Sequence, residues 1–383
     1  MKQSWIIAWR QLVKEKRRVA AAVAGIAFAV LLMLVQLGFE QALFKSVRLL
    51  YRQFNAELFL VSPRYQNSQF TFDFSARRLE QALAVDGVAS VDPVYFKMLI
   101  WKNPVTGAKL EIFAIAIPPR TGIVTMSEVN NQIPGLRQPD TILFDAWSRS
   151  EFGSVAKLIN QGPLKVEIDG VTTTVDGLFH MGTSMATNGN ILMSDETFRD
   201  LVPGYDLRLP TVGLIKLRPG ADALAVQARL KALLPSDVEV LTREQLMGIE
   251  TTYWATHTPI GFVFRLGLLM GLIVGSVVVY QILYNDISQH LNEYATLKAM
   301  GYADRFLIQI VLQEALILSM LGLIPGIALS QAVYSLAHWV TLLPLQMDPI
   351  RVLIVCVLTV GMCAFSGLLA TRRLRHADPA EIF

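Results

Sequence analysis

"VAAAVAGIAFAVLLMLVQLGF" runs from Val19 to Phe39, and Gln36 is its only strongly polar residue. As an α-helix the stretch is about 31 Å long, enough to cross a hydrocarbon core of about 30 Å. A secretory signal is the competing reading, because "KEKRR" at residues 14–18 looks like a basic leader. The block is longer than the apolar part of such a signal, and no small-residue cleavage site closes it. It is read as an uncleaved first span, residues 19–41.

Three more apolar blocks follow. Residues 259–284 carry Arg265 and Gln281 near their ends, and residues 306–337 hold Gln309, Gln313 and Glu314 in their first third. Residues 352–370 contain no charge. Each is long enough to span, and Pro325 in "GLIPG" predicts a kink in the third. Cys356 and Cys363, the only two cysteines, lie in the last block. They are about 10 Å apart along one helix, too far for a disulfide. The 383 residues are 53% hydrophobic and 17% charged, against about 25% charged in ordinary soluble domains, and mean hydropathy is +0.43. The expected fold is membrane α-helical, with four transmembrane helices and a large α+β domain inserted between the first and second.

Orientation follows from the basic residues beside the spans. Residues 1–18 carry Lys2, Arg10, Lys14, Lys16, Arg17 and Arg18, and the tail 371–383 opens "TRRLRH", whereas 338–351 hold only Arg351. Both termini are therefore expected in the cytoplasm, with 42–258 and 338–351 outside and 285–305 inside. Trp5, Ile6, Trp9, Leu12 and Val13 follow helical spacing, which predicts an amphipathic helix lying in the cytoplasmic interface.

In the exterior segment, "AELFLVSP" (56–63), "ASVDPVYFKMLIW" (89–101) and "KLEIFAIAIP" (109–118) read as strands. "SARRLEQALAVDGV" (75–88) reads as a helix with Ser75 as N-cap. The pattern recurs in "TVGLIKLRPG" (211–220), a helix over 222–235, and "VEVLT" (238–242). The two strand–helix–strand units are expected to pack as one α+β module. Between them lies a mostly β insertion, in which Asp169–Gly170 marks a hairpin. Residues 42–54 and 243–258 are helix-compatible and are expected to extend spans one and two as a paired stalk.

Catalytic signatures are missing. His180, His257, His290, His338 and His376 show no metal-ligand spacing, and neither a nucleophile elbow nor a phosphate loop occurs. The bland reading of His180 and Ser184, close together in "FHMGTSMATNGN" (179–190), is a loop tip. Arg265 is read as snorkelling to the outer interface and Glu314 as an interfacial or helix-pairing carboxylate. The net charge of +3 and the absence of basic–aromatic clusters argue against nucleic acid.

On the cytoplasmic side "NDISQHLNEYATLKAMGYADRF" (285–306) forms a helical wheel. Asn285, Gln289, Asn292, Glu293 and Thr296 share one arc, Leu291, Tyr294, Ala295 and Ala299 the other with Lys298, and Gly301 is the helix stop. "EYATLKAMGYADRFL" (293–307) resembles the coupling segment of permeases in the MacB/FtsX superfamily of ABC transporters. "QEALILSMLGLIPGIALS" (313–330) and "MCAFSGLLATRRLRHADPAEIF" (362–383) resemble more narrowly the DevC-type permeases. The resemblance implies a non-catalytic, homodimeric inner-membrane permease. It needs no cofactor of its own, because ATP and Mg would be bound by a separate, DevA-like ATPase. Asn292, Glu293, Tyr294, Thr296, Leu297, Lys298, Met300 and Gly301 would dock that ATPase. Glu293 and Lys298 would pair with its charges, and Tyr294, Leu297 and Met300 would fill a groove in it. By mechanotransmission the exterior domain would move with ATP hydrolysis. A DevB-like adaptor and a TolC-like outer-membrane channel would complete an export path for a lipid-like or other substrate. The alternative is an FtsX-like regulator of a periplasmic cell-wall hydrolase, against which the size of the 42–258 domain weighs.

Overall fold

Residues 16–184, 187–341 and 345–372 are described by the computed structural model. The amphipathic helix expected over 1–18 lies outside these residues except for its last three, and so does all of the 371–383 tail beyond Arg372. The chain separates into an extramembrane unit, Leu43–Thr258, and a helical unit built from the segments before and after it. The first helix is α1 (Lys16–Val47), and a turn at Arg48 separates it from α2 (Leu49–Arg52).

The two strand–helix–strand units meet in one sheet. The first is β1 (Leu58–Val61), α3 (Arg77–Leu83) and β2 (Val88–Lys102). The second, far along the chain, comprises β8 (Val212–Leu217), α7 (Ala223–Leu233) and β9 (Glu239–Thr242). Their strands lie in the order β2-β8-β1-β9, antiparallel throughout, which is the interleaved, ferredoxin-like arrangement of two such units. Leu58, Leu60 and Ile215 on one face pack with Leu79, Val226 and Leu230 of α3 and α7. Phe59, Leu214 and Leu241 on the other pack with Leu50, Tyr51 and Leu246. A sheet covered on both faces reads as a continuous apolar run, which is why "LFLV" does not alternate. The α3 helix opens at Arg77 with Ala76 as its N-cap and no side-chain cap. Ser75 therefore sits one residue early, and only its carbonyl takes part, accepting from the Arg78 N–H at 2.9 Å.

The insertion is β3 (Lys109–Ile117), α4 (Ser127–Leu136), β4 (Thr141–Asp145), α5 (Val155–Leu158), β5 (Leu164–Ile168), β6 (Val171–Phe179), β7 (Asn190–Ser194) and α6 (Asp195–Leu201). β2 is long enough to serve both halves. Its first residues pair with β8, and Tyr95–Lys102 pair with β3. The ladders β2–β3, β3–β7, β7–β4, β4–β6, β6–β5 and β5–β2 then close a ring. Trp101, Leu99, Ile112, Ile142, Phe144 and Ile168 fill one core of this insertion, and the Trp101 indole N–H donates to the Phe152 carbonyl at 3.1 Å. The β5–β6 hairpin turns at Asp169 (φ 47°) and Gly170 (φ 85°), the two positive angles that a type I′ turn needs.

The second stalk segment differs from expectation. α8 (Arg243–Thr252) opens with a full capping box between Thr242 and Gln245. A π turn over Tyr253–His257 follows, Thr258 is extended, and α9 (Pro259–Gln289) starts anew. Pro259 explains the break: it lacks an N–H to continue a helix and pushes the residue before it into extended geometry.

The helical unit contains α9, α10 (Leu291–Ala299), α11 (Asp304–Thr341) and α12 (Pro349–Ala370). With α1, four of its helices are long and apolar enough to cross a membrane. The α9 helix runs five residues beyond the expected end of span two, so the short helix that follows it begins at Leu291 rather than Asn285. α11 remains helical on both sides of Pro325. Small residues let the helices approach, since lipid gives apolar faces little reason to associate. A Cβ at Gly275 of α9 would stand 2.7 Å from Ala29 Cβ and Met362 Sδ, and one at Gly326 of α11 would stand 2.7 Å from Val30 Cβ. By contrast, nothing lies within 4 Å of a Cβ at Gly361. Gly275→Leu is therefore expected to cost about 1–3 kcal/mol by overpacking, and Gly361→Leu close to nothing. Thermal unfolding of the detergent-solubilised variants would check the contrast, and equal losses would count against this packing.

Candidate functional site

The short helix α10 is set by its two ends. α9 stops where His290 leaves helical geometry (φ −99°, ψ 17°) and becomes the N-cap of α10. At the other end Gly301 adopts φ 90°. Its N–H donates to the Lys298 carbonyl at 3.0 Å and the Tyr302 N–H to the Leu297 carbonyl at 3.2 Å, the two bonds of a Schellman cap. Lys298 Nζ then pairs with Asp304 Oδ1 at 3.3 Å, across the turn into α11.

Between these ends the helix has two sides. Tyr294 is 2% exposed and, with Ala295, buried among the unit's own apolar side chains; Leu291, Leu297 and Phe306 pack against that core. Glu293 and Thr296 face outward with Met300, which is 63% exposed. These three follow i, i+3, i+7 spacing and so form one stripe. Of the residues expected to meet a partner, Tyr294 is taken up by the chain's own core and Lys298 by an internal ion pair. Asn292 lies in the helix, without a described side chain.

Beneath the helix lies a buried ionic cluster. Arg18 of α1 forms an ion pair with Asp286 of α9, and its guanidinium stands 3.6 Å from Glu314 Oε1 of α11. His290 Nδ1 is 3.3 Å from Asp286 Oδ1. Asp286 and Glu314 are each 1% exposed. Glu314 thus helps to join three helices, a helix-pairing arrangement. Sequence alone gives Arg18 a part only in orientation and gives Asp286 no role. A signal existed: Leu283, Asp286/Ile287, His290 and Tyr294 share one arc, so an acid lies on the buried side and needs a cation.

Toward the other end of the spans, Gln41 Nε2 donates to Asp348 Oδ2 at 3.3 Å, and Arg351 pairs with the same oxygen at 3.3 Å. Arg265 is exposed.

In the extramembrane unit, His180 Nδ1 lies 2.8 Å from Glu128 Oε2, and Ser184 Oγ 3.2 Å from Thr187 Oγ1. Asp145, fully buried, accepts from the Trp147, Met181 and Gly182 N–H groups and from Asn190 Nδ2. These bonds fasten the 180–190 loop. A second buried acid, Glu250 of α8, accepts at one oxygen from Tyr51 O–H (2.6 Å), Tyr65 O–H (3.0 Å) and Ser68 N–H (2.6 Å). Burial pushes its carboxyl above the ordinary range, and the tyrosine hydrogen bonds oppose that. Among the described residues no cluster of three or more His, Cys, Asp or Glu could hold a metal ion.

These features define a class: four helices fit to span a membrane, and an α/β domain carried between the first and second. Within it, residues 265–379 match the FtsX-like permease C-terminal family, a stretch that contains α10 and most of the buried ionic cluster. No curated protein matches the chain. Among solved structures it is similar to the periplasmic region of MacB from Actinobacillus actinomycetemcomitans, at 10% identity and a TM-score of 0.36, over 51% of this chain and 92% of that one. It is also similar to the extracellular domain of the ABC-type transporter YknZ from Gram-positive bacteria, at 13% identity and a TM-score of 0.33, over 49% of this chain and 99% of that one.

Proposed function

We propose that the chain is the transmembrane permease subunit of an ATP-driven ABC exporter. The observation that carries this reading is the FtsX-like permease match over 265–379, because it includes a short helix with one side anchored and the other offered outward. Both termini and α10 are cytoplasmic in this reading, and the α/β domain is periplasmic. A separate ATPase, holding ATP and Mg, docks on Glu293, Thr296 and Met300. Asn292, Leu297, Lys298 and Gly301 shape or flank that surface, and Tyr294 anchors it from inside. The narrower features are a DevC-type homodimer, a periplasmic adaptor, a TolC-like channel and export of a lipid-like cargo by mechanotransmission. They rest on the resemblance in "QEALILSMLGLIPGIALS" (313–330) and "MCAFSGLLATRRLRHADPAEIF" (362–383).

Glu293→Arg tests the docking surface. Glu293 is exposed, so reversing its charge leaves the fold intact while opposing any basic contact on the partner. Co-purification with its ATPase partner is expected to fall at least tenfold, with loss of adaptor-stimulated ATP hydrolysis. Unchanged capture and hydrolysis would remove α10 from the coupling role.

A further inference from the structure

We infer that the helical unit holds one anionic phospholipid in a groove between α9 and α12, its acyl chain along the groove and its headgroup at Arg372. The groove encloses about 700 Å³ and is walled by Leu272, Ile273 and Val277 on α9 and by Val357, Gly361 and Phe365 on α12. At one end it meets a second hollow of about 210 Å³ formed by Tyr280, Tyr284, Leu369, Ala370 and Arg372. The two share Tyr280 and Leu369 as walls.

Three observations select the occupant. The first is length. From Leu272 to Tyr284 the groove follows α9 for about 18 Å, close to the depth of one leaflet, about half of a 30 Å hydrocarbon core. The second is that the groove is held open rather than collapsed. The Ser366 hydroxyl donates to the Ser276 carbonyl at 2.8 Å and fixes the spacing of the two helices, and Gly361 offers no side chain to fill the space.

The third is chemistry at the mouth. An apolar partner helix would find no use for a cation there, yet Arg372 is exposed and no described carboxylate pairs with it. Tyr280 and Tyr284 stand beside it with ring centroids 5.7 Å apart, as amphipathic rings do at headgroup depth. A basic, tyrosine-flanked mouth on an apolar channel fits a phosphate-bearing headgroup with a chain attached.

The test is native mass spectrometry of the detergent-purified full chain, titrated with palmitoyl-oleoyl phosphatidylglycerol and, separately, with phosphatidylcholine of the same chains. Phosphatidylglycerol is expected to be retained about tenfold more strongly. Arg372→Gln, at an exposed position, should bring it down to the phosphatidylcholine level. Gly361→Leu and Val277→Trp, which fill the groove, should lower retention of both lipids while the protein remains folded. Equal retention of the two lipids, or indifference to all three variants, would overturn the site. So would a result in which the groove-filling variants change the oligomeric state and leave lipid retention untouched, since the groove would then belong to a second copy.

Discussion

Arg18→Met is expected to destabilise the helical unit by about 3–5 kcal/mol, the usual cost of breaking a buried ion pair by removing one partner. The loss leaves Asp286 and Glu314, both almost fully buried, facing each other without the cation that stands between them. Coulomb repulsion and desolvation then act in the same direction. Removing both sides of the pair should cost less than removing one, so Arg18→Met with Asp286→Leu is expected to recover part of the stability lost in the single variant. Thermal unfolding of the two single variants and the double variant in detergent closes the cycle. A single-variant loss below about 1 kcal/mol would show that the cluster is solvated and not a joint between helices.

Glu250→Leu is expected to cost the extramembrane unit about 3 kcal/mol, because two tyrosine hydroxyls and the Ser68 N–H lose a buried acceptor. Glu250→Gln keeps that acceptor and separates charge from hydrogen bonding. The folded carboxyl titrates above its ordinary value of 4.5, so above that pH the folded state still holds a proton that the unfolded chain has released. Its contribution is therefore greatest below pH 4.5, declines as pH rises through the folded value, and is level beyond it. Burial likewise raises Asp92 and Asp145, so the informative quantity is the difference between wild type and Glu250→Gln. The wild type should lose stability more steeply across this window, and parallel slopes would mean that Glu250 is ionised at no cost.

Much of this fold is visible in the residues themselves. Long apolar runs leave little choice to a spanning helix, and the second strand–helix–strand unit carries its own cap in Asp222, whose side chain accepts from the Leu224 N–H. What the residues conceal is pairing between distant segments. "TILFD" at 141–145 is buried on both sides, so it lacks the alternation that marks a half-buried strand, and nothing in it shows that it lies between β6 and β7. The helix over 127–136 is equally hard to read, because Pro134 lies inside it. At α10, the wheel separates Glu293 and Thr296 from Tyr294 and Ala295. It does not reveal that Tyr294 is occupied internally, since a tyrosine on an apolar arc suits a partner's groove as well as the chain's own core. Asp286 was hidden because its cation is 268 positions away.

β2 deserves a mechanical reading. Its fifteen residues extend about 50 Å, and the same strand belongs to the sheet with β8 and to the closed ring. Two bodies spliced through this strand also share one core, in which Phe59, Val94 and Leu241 pack with Phe96, Phe113 and Leu192, and they cannot hinge apart without opening it. Force applied to the α2–α8 face of the sheet therefore reaches the insertion as a displacement of the whole lever. Any search for a moving joint belongs at the unit's boundary segments rather than between its two halves.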